Sequence, residues 1–412
     1  MSPLSYLNTH ELNKCSGCGA CANVCAKNAI AMTEDKAGFL YPSINTDKCI
    51  GCGLCEKVCP YNVDVTNNAS DNQKAYFVAS DNKAYFYHSA TAGFCTAVAR
   101  EVIRQGGLAY GVYLDEDDWK AKHICVTDCE GTEKIRNSKY LQSETSDTYS
   151  KVKDSLNRGI RVLYTGTPCQ IAGLKAFLRK DYENLITIDI ICHGVFSYRL
   201  VKEEVKYWET FYNGTLSNLK FRSKRIYPHP QGGIVNFDII KGKKSKHHEV
   251  LARYSPTYRS YAYSGDGINH NLRLSCYTCQ FRDHSRYGDF TVGDPWQIDM
   301  QLKDIHTPEN IRNGISLVLS NTEKANLFLE SVCLDMMIRE IDRSKVFIQP
   351  ALNTCDRQVP NTRDYIYNKI GLEPYVDIIN KALGINIKTM YIKHLIRQEL
   401  SKIKRQIYGL VK

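Results

Sequence analysis

Eight of the seventeen cysteines fall into two runs of one pattern. Cys15, Cys18, Cys21 and Cys25 stand in CSGCGACANVC, and Cys49, Cys52, Cys55 and Cys59 in CIGCGLCEKVCP. Both runs read C-x2-C-x2-C-x3-C. Three thiolates two residues apart can wrap one cube of iron and sulfide, while the fourth, three residues on, reaches the other cube. This predicts two [4Fe–4S] clusters, one on Cys15, Cys18, Cys21 and Cys59, the other on Cys49, Cys52, Cys55 and Cys25. The glycines between the cysteines let the backbone fold tightly and turn amides toward sulfur. Zinc is the weaker reading, because its sites use paired CxxC units rather than two runs of four.

The repeat, with FLYPSIN between its halves, resembles the bacterial two-cluster ferredoxin module. That module occupies only the start of a 412-residue chain with 43% hydrophobic and 24% charged residues, enough for two or three globular domains. The opening MSPLSYLNTHELNK lacks the charged-then-apolar pattern of a secretory signal. No apolar run reaches the roughly 18 residues of a membrane span. A cytoplasmic location is expected, where cysteines serve as metal ligands or buried thiols. The net charge of +10 concentrates in FRSKR and KGKKSKHH and again after Lys388. Such regions attract an anionic substrate, an acidic partner, a membrane surface or nucleic acid; the plain alternative is solvated loops. No nucleic-acid partner is expected here.

Behind the cysteine-rich start, TNNASDNQ has linker composition. Strand-like AYFVAS and AYFYHS follow, then a helix over Ala92–Gly107 and a strand at LAYGVYL. YSKVKDSLNRG reads as a helix, IRVLYTG as a strand, IAGLKAFLRKDY as a helix and NLITIDIICHG as a strand. This alternation predicts a largely parallel sheet with helical crossovers. The fold class is α+β / α/β: a small two-[4Fe–4S] ferredoxin-type domain, a larger mixed α/β domain and a helical C-terminal tail. The boundaries are 1–66 for the ferredoxin domain, 74–160 and 161–350 for the two parts of the larger domain, and 351–412 for the tail. The last segment, IKTMYIKHLIRQELSKIKRQIYGL, is amphipathic and basic; it either packs on the body or makes peripheral contact with an anionic surface.

Two further cysteines follow predicted strands, Cys169 in TGTPCQIAGL and Cys192 in IICHG. Parallel strands end on one edge, where ligands bind. Cys276 and Cys279 form a CxxC in LRLSCYTCQFR. Four thiols from three segments can close a third [4Fe–4S] cluster or a zinc site; each alone reads as a buried thiol.

Taken in order, SATAGFCTAVAREVIRQGG, RNSKYLQS, LYTGTPCQIAGLKAFL, TIDIICHGVFS, FRSK, LRLSCYTCQF and YGDFTVGDPW resemble the beta-subunit family of coenzyme F420-reducing hydrogenase. The resemblance implies FAD, and a third cluster on Cys169, Cys192, Cys276 and Cys279. Physical reading offers three groups for the flavin. Ser89, Thr91 and Gly93 begin a helix suited to a pyrophosphate, although a serine there is more often a plain cap. Ser138, Lys139, Tyr140, Gln142 and Ser143 supply a cation, hydroxyls and a ring. Gly166, Thr167 and Pro168 form a tight loop open to close approach. His193 is the candidate proton donor, or else a residue that orients its loop. Arg222 and Lys224 are candidates for a substrate anion, and Asp294 for supporting the third cluster's loop. His229, His247, His248 and His284 read as surface, and Cys95, Cys125, Cys129, Cys333 and Cys355 as buried thiols.

No GxGxxG follows a strand and no P-loop lysine is present, so electrons are expected from reduced ferredoxin or a deazaflavin rather than from a nicotinamide. The expected function is an oxidoreductase passing electrons through the clusters to FAD and on to an organic substrate, with a sugar or nucleotide sugar of surface-polysaccharide synthesis as one candidate. The rivals are a non-catalytic electron-transfer subunit and a flavin-free cluster sensor.

Overall fold

Val162, Leu163 and Tyr164 are fully buried, as are Thr187 and Ile188 beside them. Continuous buried runs of this kind belong to strands covered on both faces. The computed structural model describes residues 5–65, 73–80, 89–222, 233–262, 264–297, 314–332, 334–353 and 356–410. In chain order its strands are β1 (Ile30–Glu34), β2 (Leu40–Ile44), β3 (Lys74–Ser80), β4 (Leu108–Asp115), β5 (Lys120–Val126), β6 (Ser143–Glu144) and β7 (Val162–Gly166). There follow β8 (Leu185–Ile190), β9 (Thr215–Lys220), β10 (Ile234–Lys241), β11 (Lys244–Leu251), β12 (Phe290–Gly293), β13 (Ile315–Ser320) and β14 (Met336–Ile341). Nine of them form one sheet in the order β14-β3-β13-β12-β8-β7-β4-β5-β6. Predicted strand AYFYHS falls almost wholly outside the described residues.

The centre of this sheet is parallel, with β12, β8, β7 and β4 side by side. Its flanks are not: β5 pairs antiparallel with β4, β13 with β12, and β3 lies antiparallel between β13 and β14. The expectation of a largely parallel sheet therefore holds only for the middle. For β5 the reason is connection length, since the four residues between β4 and β5 allow a hairpin and not a crossover.

One face carries the helices Phe94–Arg104 and Glu323–Ser331, which cover Leu163, Ile188 and Phe290. On the other face the helices Thr148–Asn157 and Pro168–Leu178 pack with Val162, Tyr164 and Leu185, and the same core takes in Cys18, Ala20 and Val58. The ferredoxin module is thus built into the sheet domain's core. Its β1–β2 hairpin runs antiparallel from Ile30↔Ile44 to Glu34↔Leu40. Polar ties reinforce the join: Asn23 Nδ2 donates to Ser146 O at 2.7 Å, Thr145 Oγ1 to Cys18 O at 3.0 Å, and Lys120 pairs with Glu34 at 2.7 Å.

Compact grouping of the chain departs from the expected boundaries. One unit comprises 1–198, 220–232 and 272–358; the other comprises 199–219, 233–271 and 359–412. The predicted cut at 160/161 falls just before β7, inside the nine-stranded sheet. The predicted tail is helical, with Asn361–Lys369, Tyr375–Leu383 and Ile387–Leu410, but it shares its unit with the three-stranded sheet β11-β10-β9. In that unit Trp208 is fully buried, its Nε1 donating to Glu204 at 3.0 Å. His248, expected on the surface, is half-buried and meets Tyr212 in a tilted contact with ring centres 3.9 Å apart, because β11 turns that side chain onto the aromatic core.

A buried carboxylate fixes the loop that joins the CxxC to β12. Asp189, at the end of β8, accepts from Arg286 Nη2 at 2.7 Å, from Tyr287 N at 3.0 Å and from Gly288 N at 2.7 Å. Both partners of this ion pair are withdrawn from water, with 1% and 0% side-chain exposure. Removing one member leaves the other's charge buried and unmatched. Arg286→Met is expected to lower unfolding free energy by about 3–5 kcal/mol, read as a shift of the denaturant midpoint under anaerobic conditions.

Candidate functional site

Because β7 and β8 are parallel, both release their chains at one edge of the sheet. After Gly166, Thr167 caps the helix Pro168–Leu178, and Pro168 takes its first position, where a missing N–H costs nothing. The Thr167 N–H donates to Gln170 Oε1 at 3.1 Å, the reciprocal half of a capping box. That cap sets Cys169 in the first turn, its Sγ 3.1 Å from the Thr167 hydroxyl. Beyond β8, Cys192 Sγ accepts from Gly194 N at 3.4 Å. The CxxC arrives on a short 3-10 turn, Leu274–Cys276, anchored where Arg273 N donates to Val195 O at 2.9 Å.

Cys169, Cys192, Cys276 and Cys279 line one cavity with an empty volume of about 590 Å3. Cys15, Cys18, Cys21 and Cys59 line a second, of about 360 Å3. Ser16 and Tyr61 line both. The Tyr61 ring meets Phe281 edge-on at 5.2 Å. The other half of the module is open to solvent: Cys49 and Cys52 are exposed, while Cys25 and Cys55 are half-buried. The Ala29 N–H donates to Cys25 Sγ at 3.3 Å.

The electrostatics suit anionic clusters. Burial, then the neighbouring thiolates, pushes Cys192 up to about 12 and holds Cys279 well above the ordinary thiol range. Burial pushes Cys276 and Cys59 up to about 11, and raises Cys169, Cys18 and Cys21. Guanidinium groups pull the other way, Arg273 on Cys169 and Cys276 and Arg282 on Cys192. Ligation requires thiolates, so a cationic iron core would supply the charge that burial denies and would release protons on binding. A single zinc ion holds its thiolates about 2.3 Å from one point. Among the described residues, no three His, Cys, Asp or Glu side chains close around such a point. Each cysteine set lines a cavity rather than closing on one point.

Sequence reasoning missed Arg273. Its side chain is 1% exposed. Nε donates to Cys15 O at 2.9 Å, Nη2 to Leu40 O at 2.9 Å and Nη1 to Gln142 Oε1 at 3.1 Å, and the group lies 4.0 Å from the Tyr41 ring centre. No carboxylate pairs with it among the described residues. Gly173 was missed too. A Cβ there would stand 2.7 Å from Cys18 Sγ. Gly173→Ala is therefore expected to displace Cys18, remove about four iron atoms per chain and cost about 1–3 kcal/mol by overpacking; iron analysis and a denaturation curve check both.

The candidate flavin residues fall in separate places. Gln142, Ser143, Thr167 and Pro168 line the cavity of Cys169; Ser89, Thr91 and Gly93 do not. Gln142 also ties the modules, its Oε1 accepting from Leu40 N at 3.0 Å. Gly93 caps the helix Phe94–Arg104 with φ +85°, and Thr91 Oγ1 accepts from the Ser316 hydroxyl at 2.8 Å. The Ser89 hydroxyl is buried without a hydrogen-bond partner among the described residues. Gly166, which closes β7, packs against Gln170 and His123. Asn137 Oδ1 accepts from Ser138 N at 2.7 Å, Tyr140 faces Phe221 edge-on at 6.4 Å, and Lys139 Nζ donates to Arg136 O at 2.5 Å. Burial, with Lys220 nearby, drives Lys139 down to about 7. Its folded pKa is below its unfolded value, so between about pH 7 and 10 the unfolded chain binds more protons. Stability is expected to rise with pH across that window, and Lys139→Met to flatten the rise, as measured by denaturation at stepped pH.

His193 is half-buried, its ring centre 5.0 Å from that of the exposed Trp296, and its carbonyl accepts from Arg357 Nη2 at 3.2 Å. Burial, then Arg282 and Arg357, lowers it to about 4. Arg222 Nη1 donates to Asp294 Oδ2 at 2.6 Å, so its charge is matched and it braces the loop after β12. Lys224, His229, Cys333 and Cys355 lie outside the described residues. Cys125 is exposed rather than core, since its end of β5 turns it outward, and His284 is half-buried. His247 is exposed as expected, and Cys95 and Cys129 are half-buried.

Comparison with known families agrees with this layout. Residues 14–63 match the 4Fe-4S dicluster domain, and 41–88 match a second model of that description. Residues 159–344, from β7 through β14, match the C terminus of the coenzyme F420 hydrogenase/dehydrogenase beta subunit. The chain is an iron–sulfur electron-transfer protein whose dicluster domain implies two [4Fe–4S] clusters. Over residues 159–344 it carries the C-terminal domain of the coenzyme F420 hydrogenase/dehydrogenase beta subunit, joined to an N-terminal dicluster ferredoxin domain. No curated protein is similar enough to count as a match. A chain of the solved F420-reducing [NiFe] hydrogenase complex from Methanosarcina barkeri is 16% identical with a TM-score of 0.42, over 77% of this chain and 90% of that one. Among the described residues no helix is long and apolar enough to cross a membrane.

Proposed function

We propose that the chain is an oxidoreductase that carries electrons from reduced ferredoxin or a deazaflavin through its two ferredoxin-type clusters and a third [4Fe–4S] cluster to FAD, and on to an anionic organic substrate. The observation that carries this reading is the shared wall. Ser16 and Tyr61 line both the cavity of Cys15, Cys18, Cys21 and Cys59 and the cavity of Cys169, Cys192, Cys276 and Cys279. The exposed Cys49 and Cys52 suit the entry end, and the buried or half-buried cysteines that line the two cavities suit the interior.

FAD, when bound, supplies the exchange between one-electron and two-electron steps. The residues fit its anionic part in two places. The amide end of helix Phe94–Arg104, with the unpartnered Ser89 hydroxyl, suits a phosphate. The buried Lys139 ammonium, held only by a carbonyl among the described residues, gains from any anion beside it. Gln142, Ser143 and Thr167 position the third cysteine set. A sugar or nucleotide sugar remains the substrate candidate.

A second reading is favoured by the family itself, whose members are beta subunits. In it the chain hands its electrons to a partner protein. Protein purified without oxygen separates the readings: about twelve iron atoms and one FAD per chain are expected, with Cys279→Ser falling to about eight iron atoms. About eight iron atoms without flavin in the parent protein would overturn the enzyme reading. A stoichiometric second polypeptide required for turnover would favour the partner-dependent reading.

A further inference from the structure

The helix Ile387–Leu410 presents two different faces. Ile387 and Tyr391 are 0% and 2% exposed. Tyr391 belongs to the aromatic core of its unit: its ring lies 5.4 Å from Trp208 and its hydroxyl is 2.6 Å from that of Tyr212. Ile392, Ile396, Leu400 and Ile403 are 40%, 53%, 54% and 50% exposed. At 3.6 residues per turn these four fall within an arc of about 80° on the side away from Ile387 and Tyr391. Helical segments bury such a stripe when they pack, yet here the packed side is the opposite one.

Charge identifies what covers the stripe. Over Ile387–Leu410 the sequence carries Lys388, Lys393, Arg397, Lys402, Lys404 and Arg405 against the single acid Glu399. Lys393 and Arg397 are exposed along one border of the stripe, Lys388 and Lys402 along the other. A second copy of the helix would bring two strongly basic faces together, which like charge opposes. An apolar line with cations on both borders matches an anionic bilayer, with the aliphatic side chains at the acyl boundary and the amines among the headgroups. The helix is not apolar enough to cross.

We infer that Ile387–Leu410 is a peripheral membrane-docking element that lays Ile392, Ile396, Leu400 and Ile403 into the surface of an anionic lipid bilayer. The inference is independent of what the redox sites reduce.

Co-sedimentation of the full chain with vesicles of phosphatidylcholine, with or without phosphatidylglycerol, tests it. Binding is expected only with phosphatidylglycerol, and to weaken as salt is raised. The double variant Ile396→Glu/Leu400→Glu is expected to abolish it. Lys393→Glu/Arg397→Glu is expected to weaken it at least about tenfold. All four residues are exposed, so cluster absorbance and the thermal midpoint should match the parent protein. Equal binding to both vesicle types, unchanged binding by the apolar variant, or no binding at low salt would overturn the inference. So would a dimer, seen by sedimentation velocity, that Ile396→Glu/Leu400→Glu dissolves while vesicles go unbound.

Discussion

The interaction on which the redox centre depends is the buried guanidinium of Arg273. It bonds to a carbonyl in each half of the ferredoxin module's near side, Cys15 O and Leu40 O, and to Gln142 from the sheet domain. It arrives three residues before Cys276 and therefore also fixes where the CxxC enters. An unpaired buried cation is costly unless negative charge lies close by. Tyr41, then Cys15, Cys276 and Tyr61, are the groups whose ionised forms favour its charge. The same cation has an electronic consequence. Adding an electron to an anionic cluster in a low-dielectric interior is opposed by burial, and a fixed positive charge at short range offsets that opposition. A cluster on the exposed Cys49 and Cys52 would have solvent for this purpose; one inside either cavity would have Arg273.

The cysteine framework was legible because cluster ligation is a local rule of spacing. Cys15 to Cys59 announce their chemistry in two runs, and the structure gathers Cys15, Cys18, Cys21 and Cys59 around one cavity as that spacing predicts. Cys169 and Cys192 were legible one step less directly, through strands ending at a common edge, and β7 and β8 do end there. What stayed hidden depends on surfaces meeting across long sequence separations. Nothing in CPYN says that Tyr61 will stand between two cavities, and nothing in QIAGL says that Gly173 is small because Cys18 lies against it. The smaller unit was hidden for a similar reason, being assembled from three separate stretches. Periodicity reports each stretch but not their grouping. Polar residues gathered by type alone, such as Gln142 and Ser89, were assigned to one ligand although only Gln142 lines the cysteine cavity. Burial and partners, not residue type, distinguish them.

The helix Pro168–Leu178 has a property that its amino-acid types do not suggest. It gives Cys169 to one cavity and leaves room at Gly173 for Cys18, which lines the other. Along the axis these two positions are four residues, about 6 Å, apart. The helix is therefore a ruler between the two cysteine-lined cavities. Electron tunnelling decays steeply with distance, and a loop between the sites would make the rate fluctuate with every thermal excursion. A capped helix built on a buried parallel strand holds the gap constant, so the pace of any charge transfer across it would be set by backbone geometry rather than by chance encounter.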